Sequence, residues 1–286
     1  MSQTSNAELT GGQHTQTSDK RPLAVVTGAS SGIGLELAKV FLEHNYDLLI
    51  VSESEQIAAV AKALSTDDRP VMFARHDLAS AKGVQAFYQR IKDTGRPVEA
   101  LALNAGVGVG GQFLDNDIDA ELNMIALNVI SVVRLSKLVF NDMVARGHGR
   151  VLLTSSIAAL VPGPYYAVYA ATKAFVHSFS EAVRYELKDT GVTITALQPG
   201  ATDTNFFARA KMLDTKAGVS EKDDPADVAR DGFEAMMAGK DHVVAGAFRN
   251  KVMAILAEVT PESMKAAQHA KLTKPGSGET SIGGTI

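Results

Sequence analysis

The chain of 286 residues contains no cysteine. That absence excludes disulfides, thiolate metal ligands and a thiol nucleophile. Neither charge sign dominates, with 28 basic against 32 acidic residues and a net charge of -4. A basic footprint is therefore missing, and nucleic acid is not expected as a main partner. Long hydrophobic runs are missing too. The best candidate, residues 122–133, is broken by Asn123, Asn128 and Ser131, so no membrane association is expected. The opening segment MSQTSNAELTGGQHTQTSDK has no apolar stretch of the kind a secretory signal needs. The expected location is the cytoplasm.

What remains has an ordinary globular composition, 45% hydrophobic and 21% charged. The length suits one large α/β domain or two small ones, and no composition shift marks a boundary between 21 and 260. Residues 1–20 read as a disordered leader. Residues 261–286 read as a C-terminal tail, loose over KPGSGETSIGGTI. Between them, short apolar runs alternate with helical patterns. Strands are expected at 23–26, 47–51, 71–74, 99–103, 150–154 and 192–197, with an edge strand at 242–246. Helices are expected at 33–44, 54–64, 81–93, 117–146, 168–189 and 225–238. The alternation predicts a doubly wound α/β fold, a parallel sheet with helices on both faces.

The most informative segment is TGASSGIG, residues 27–34, between the run LAVV and the helical stretch LELAKVFLEH. A glycine turn that opens a helix is an anion site, because free N–H groups and the positive end of the helix dipole point at it. Gly28 permits the tight turn, Gly32 lets a pyrophosphate approach the backbone, and Gly34 lets helix and strand pack closely. A second G-x-G-x-x-G, at Gly106, Gly108 and Gly111, opens no helix. It reads as a flexible loop that lines a site rather than one that holds pyrophosphate.

Ligands of such sheets sit beyond the carboxyl ends of the strands. Five of these ends carry glycine or polar residues: the turn at 27–34, His76-Asp77-Leu78, Asn104-Ala105-Gly106, Ser155-Ser156, and Pro199-Gly200 with Thr202 and Thr204. Tyr169 and Lys173 are four apart, hence on one helix face. A phenol has an ordinary pKa near ~10, and an ammonium beside it stabilises the phenolate. Tyr88 and Lys92 share the spacing but have no strand-end serine upstream, and read as a solvated helix face. His76, His148 and His177 show no metal-ligand grouping, so no metal is expected.

These motifs, in this order, resemble the short-chain dehydrogenase/reductase family in its compact single-domain form. The match runs through TGASSGIG, Asp77, NAG at 104–106, Asn128, Ser156, Y-x-x-x-K at 169–173 and PGATDT at 199–204. The resemblance implies a Rossmann fold over 21–260 and NAD(P)-dependent interconversion of an alcohol and a ketone or aldehyde. It assigns Tyr169 as general acid/base. Lys173 lowers the phenol pKa and holds the nicotinamide ribose, and a cationic oxidised nicotinamide would lower that pKa further. Ser156 binds the substrate oxygen, and Asn128 positions a water behind Lys173. The cofactor cleft would be lined by Gly28, Ser30, Ser31, Gly32, Ile33 and Gly34, by Ser52 and Glu53, by Asp77 and Leu78, and by Asn104, Ala105 and Gly106. Pro199, Gly200, Thr202 and Thr204 would complete it on the carboxamide side.

Glu53 and the lack of a nearby arginine favour NAD over NADP, although Ser52 stands where an NAD-selecting aspartate is commonest and Arg75 stands within reach. The largely apolar segments 107–113, 157–166 and 205–213 point to a moderately hydrophobic substrate, and 205–222 suits a mobile lid. A homodimer or homotetramer through the helices at 117–146 and 168–189 is implied. Two other functions fit the same motifs. One is a catalytically silent NAD(P)-binding regulator or scaffold. The other is an isomerase or lyase that uses the same tyrosine.

Overall fold

Apolar runs without alternation become strands covered on both faces. Seven of them form one sheet: β1 (Leu23–Thr27), β2 (Asp47–Ser52), β3 (Met72–Arg75), β4 (Val98–Leu103), β5 (Gly149–Thr154), β6 (Val192–Pro199) and β7 (His242–Ala245). Their order is β3-β2-β1-β4-β5-β6-β7, and every pairing is parallel. The order reverses between β1 and β4, so the fold is the expected doubly wound Rossmann type. The structure, a computed structural model, describes residues 21–278. The leader expected at 1–20 and the last part of the expected tail, 279–286, lie outside the described residues.

Successive strand residues feed opposite cores. Val25, Leu101, Leu103, Val151 and Ile194 pack on one face. They meet α3 (Ala81–Asp93), α5 (Ser131–Arg146) and α6 (Ala167–Glu186). Val26, Ile50, Ala102 and Leu152 pack on the other, with Leu37, Phe41, Phe233 and Met236. Those partners come from α1 (Gly32–Glu43) and α9 (Pro225–Met237), and α2 (Ile57–Leu64) adds Ile57 and Ala61.

Three features depart from the sequence reading. The long helix expected at 117–146 is α4 (Ile118–Ile125) and α5 joined through a single π turn, Ala126–Ile130. Among the described residues this stretch, Ile118–Arg146, is also long and apolar enough, by length and composition alone, to cross a bilayer. Its Val132, Leu135, Val139, Phe140 and Met143 are in the core, as befits an inner helix of a packed domain.

Residues expected to be tail begin with a helix. α10 (Phe248–Val259) is followed directly by α11 (Glu262–Thr273). α11 is weakly amphipathic and is held by point contacts. Thr273 donates to Pro164 O at 2.8 Å, and Gly278 N donates to Asp214 O at 2.8 Å.

The third departure is the loop at 106–111, which is braced rather than free. Gly110 N donates to Ala210 O at 2.9 Å and Gly111 N to Tyr165 O at 2.7 Å. A Cβ on Gly108 would lie 2.5 Å from Phe206 Cζ. These glycines allow close approach of two chain segments.

Leu101 is fully buried at the centre of the sheet. Leu101→Ala is expected to cost about 2–5 kcal/mol of stability, measured by urea unfolding with the slope of the transition unchanged.

Candidate active site

The floor of the cleft is a set of buried hydrogen bonds across adjacent strand ends. Thr27 Oγ1, at the end of β1, accepts from Asn104 N at 2.9 Å and from Ala105 N at 3.0 Å. Asn104 Nδ2 donates to Thr27 O at 3.3 Å, and Asn104 Oδ1 accepts from Thr154 Oγ1, at the end of β5, at 3.3 Å. Thr154 O then accepts from Lys173 Nζ at 2.9 Å.

Above this floor sits the glycine turn. Gly28 and Gly32 have φ of 69° and 57°, in the left-handed region that glycine adopts without strain. Ser31 precedes α1 and makes no side-chain cap bond. The first-turn N–H groups of α1 thus remain available to an anion. A Cβ on Gly32 would lie 2.8 Å from the Thr204 methyl, so this turn and the segment after β6 are in direct contact.

The two candidate serines after β5 diverge. Ser155 Oγ donates to Lys173 O at 2.8 Å and holds α6 from behind. Ser156 Oγ accepts from Ala158 N at 3.1 Å, donates to Pro199 O at 3.3 Å, and hydrogen-bonds the Tyr169 phenol. Asn128 sits in the π turn and is buried. Its Nδ2 donates to Val107 O at 2.9 Å and to Thr172 Oγ1 at 3.1 Å, and its Oδ1 accepts from Val107 N at 3.0 Å. Asn128 therefore braces the loop after β4 against α6, behind the cleft. A Cβ on Gly106 would lie 3.1 Å from Asn128 Oδ1 and 3.4 Å from Lys173 Nζ.

Burial pushes the Tyr169 phenol up to about 12, and the Ser156 hydrogen bond offsets part of that rise. Burial lowers Lys173 to about 8. The Tyr169 phenol and the Lys173 ammonium are both buried, and the net shift of the phenol is upward. Desolvation outweighs their attraction, with the ammonium 5.8 Å from the ring centroid. A phenolate here requires a further positive charge inside the cleft.

One cleft of about 550 Å³ gathers the strand-end residues. It is lined by Gly28, Ser30, Ser31, Gly32, Ile33, Ser52, Glu53, Asp77, Leu78, Asn104, Ala105 and Gly106, and also by Ser156, Tyr169, Lys173, Pro199, Gly200, Thr202 and Thr204. Gly34 and Asn128 stand behind its wall. Asp77 accepts from Ala79 N at 2.8 Å, while Ser80 is the cap of α3. Arg75 donates to Glu53 O at 3.0 Å and pairs with Glu55 at 3.0 Å, at the cleft rim. Tyr88 and Lys92 both bond Asp142, at 2.9 and 3.3 Å, away from the cleft. One cluster that the sequence did not suggest, Glu181, Asp241 and His242, brings ligand-type atoms within 4.8 Å of one another. It lies outside the cleft and its Asp and His are exposed.

The sequence reading placed 157–166 and 205–213 beside the substrate but missed the part of the outer wall that comes from α10 and α11. Phe207 and Met212 come from the segment that carries α7 (Phe206–Arg209) and α8 (Lys216–Val219), Met253 from α10, and His269 and Leu272 from α11. The Tyr166 hydroxyl is 2.8 Å from His269 Nδ1, and the Tyr166 ring stacks on Tyr169 at 5.7 Å and on His269 at 5.5 Å. Burial lowers the His269 pKa. A neutral imidazole accepting the phenol proton is the form that fits. No periodic signal in 261–278 marks this wall.

The sequence profile described as short chain dehydrogenase matches residues 22–214. The oxidoreductase UcpA of Salmonella typhimurium is 30% identical over 214 residues, covering 74% of this chain and 79% of the relative. An uncharacterized short-chain type dehydrogenase/reductase of Sinorhizobium fredii, y4eK, is 32% identical over 255 residues, covering 80% and 96%. A short-chain dehydrogenase from Sphingobium yanoikuyae, solved in complex with NADPH, superposes with TM-score 0.73 at 26% identity, covering 78% of this chain and 87% of that one. A Burkholderia phymatum enzyme solved with NAD has TM-score 0.75 at 21% identity, covering 84% and 92%, which bears on the fold alone.

The buried ammonium has a measurable signature. Lys173 drops from 10.5 to about 8 on folding, so in that window the unfolded chain binds the extra proton and stability rises with pH. Relative to Lys173→Met, the wild type is expected to gain about 2 kcal/mol between pH 8 and pH 10 in urea unfolding. A difference independent of pH would refute the assignment. The Tyr169 phenol, raised on folding, acts in the opposite direction only above pH 10.

Proposed function

Because this chain belongs to the short-chain dehydrogenase family, we propose that it interconverts an alcohol with the corresponding ketone or aldehyde, using NAD or NADP. The observation that carries this reading is the meeting of Ser156, Tyr169 and Lys173 with the open N-terminus of α1 in one cleft. The cleft fits a dinucleotide on its own chemistry. N–H donors and a glycine turn face one end, as diphosphate requires. Ser52 and Glu53 lie at the end of β2, where an adenosine ribose is expected, and Asp77 lies at the end of β3. Glu53 favours the 2′-hydroxyl of NAD. The relative solved with NADPH supports the class of cofactor.

When bound, the nicotinamide supplies or accepts the hydride. The chain does the rest. Ser156 Oγ is held by Ala158 N, and on substrate binding its one proton would turn from Pro199 O to the substrate oxygen. Tyr169 Oη gives a proton to that oxygen during reduction and takes it back during oxidation. Its high intrinsic pKa makes it a proton donor until positive charge enters the cleft. Lys173, held by Thr154 O, is the ammonium closest to that phenol in the cleft floor. Tyr166, Phe206, Met212 and Leu272 exclude water around the reacting carbon. They suit a moderately hydrophobic ketone, aldehyde or alcohol.

Self-association through α5 and α6 belongs to the same reading. Ile130, Val133 and Phe175 are exposed apolar residues on or beside these helices. Sedimentation at micromolar concentration should give a dimer or tetramer, and a monomer would remove this part. A cytoplasmic location rests on the sequence alone.

Tyr169→Phe is expected to lower kcat by about 10²–10⁴-fold, while NADH and NADPH fluorescence titrations remain as in the wild type. Substrate turnover without a change in cofactor absorbance would favour the isomerase or lyase reading. Binding without turnover across a panel of aromatic and alicyclic carbonyls would favour a silent binding protein.

A further inference from the structure

Arg209 is a cation without an ionic partner among the described residues, and it stands where an anion would complete it. It ends α7, a short helix that Thr204 seats against Gly32 of the anion-binding turn. Asn205, Ala208 and Arg209 are spaced i, i+3 and i+4, so they share one face. That face lines a second cavity of about 460 Å³, opposite Ser30, Ser31, Ser52, Ser54 and Gln56. Arg209 also borders the main cleft, and it is the one lysine or arginine to line both. Apart from Glu53 and Ala208, the rest of the cavity wall is built of hydroxyl and amide groups, the neutral donors that accompany a guanidinium around phosphate. Ser30 and Ser52 are already joined, Oγ to Oγ, at 3.0 Å. Glu53 lines the same cavity, yet no ion pair joins it to Arg209. Arg75 is engaged with Glu55, and Arg249 with Glu221 and Asp223, while Lys216 borders the main cleft alone and does not reach the second cavity.

We infer that Arg209 is a phosphate-binding residue, supplied by the segment that covers the substrate, which clamps the bound dinucleotide from the side opposite the glycine turn. The inference rests on the dinucleotide reading above. Two phosphate sources lie within the cavity's reach, the diphosphate beside Ser30 and Ser31 and an adenosine 2′-phosphate beside Ser52. Either one gives the segment 205–222 a reason to order when the cofactor binds. Covering the substrate and gripping the cofactor would then be one event.

The test is direct binding. NADH and NADPH are titrated by nicotinamide fluorescence against wild type, Arg209→Gln and Asn205→Asp, and 2′,5′-ADP and 5′-AMP are used as competitors. Arg209→Gln is expected to weaken binding about tenfold, as for loss of a charge-assisted hydrogen bond discounted for exposure. Asn205→Asp, which adds a negative charge to the same face, is expected to weaken it as well. Equal weakening of NADH and NADPH assigns the guanidinium to the diphosphate. Weakening of NADPH and 2′,5′-ADP alone assigns it to the 2′-phosphate. Unchanged affinity for both nucleotides in Arg209→Gln overturns the inference and leaves the proposed function standing. A wild type that binds neither nucleotide overturns the dinucleotide reading and the clamp with it. The Arg209 side chain is exposed and makes no ion pair or hydrogen bond among the described residues, so melting temperatures of wild type and Arg209→Gln should agree.

Discussion

The cleft depends on one buried chain of hydrogen bonds that ties Thr27 to Asn104, Asn104 to Thr154, and Thr154 to Lys173. It crosses the carboxyl ends of β1, β4 and β5, which are neighbours only because the strand order reverses between β1 and β4. Each link satisfies a polar group that the sheet has removed from water, and an unmet one would cost about 1–3 kcal/mol. The dinucleotide half and the proton-transfer half of the site are therefore not independently placed. A shift in the register of β4 would move Asn104, and with it the anchor of the Lys173 ammonium.

A second tier of contacts transmits that order outward. Ser155 fixes the backbone of α6 at Lys173, and Asn128 fixes the loop at Val107 against Thr172 one residue before it. Tyr169 is thus carried on a helix pinned on two sides, while its ring is covered by Tyr166 and Phe206. The outer cover is different in kind. Its aromatic rings and methionines pack on one another and on α11 through a few polar contacts. Such surfaces reorganise at lower cost than the strand-end network.

Much of this was legible in the sequence, because strand-end chemistry is local. TGASSGIG announces a turn that needs two positive φ values, and Tyr169 and Lys173 announce a shared face. Unbroken apolar runs announced six of the strands and their parallel pairing. Three things were not legible. α10 and α11 carry little periodicity, since α11 is held by Thr273 and His269 rather than by an apolar stripe. Arg209 was not singled out, because it faces a cavity rather than a neighbouring charged side chain. The pKa order of Tyr169 and Lys173 depends on burial, which no spacing rule reports.

The π turn at Ala126–Ile130 has a consequence for how this helix can vary. A π turn holds one residue more than the α-helical ladder it interrupts, and each helical residue advances the face by about 100°. α4 and α5 are thus two amphipathic stripes set out of phase, and the phase error falls at Asn128. Both stripes still meet the core because the error is there. Exposed positions of the segment away from Ile130 and Val133 carry no such constraint on side-chain identity. The length of the segment is another matter, since removing one residue would restore an ideal helix and turn either Met124 away from the Tyr166 and Phe207 cluster or Leu135 away from the sheet. In this stretch residue count carries structural information in its own right, separate from residue identity.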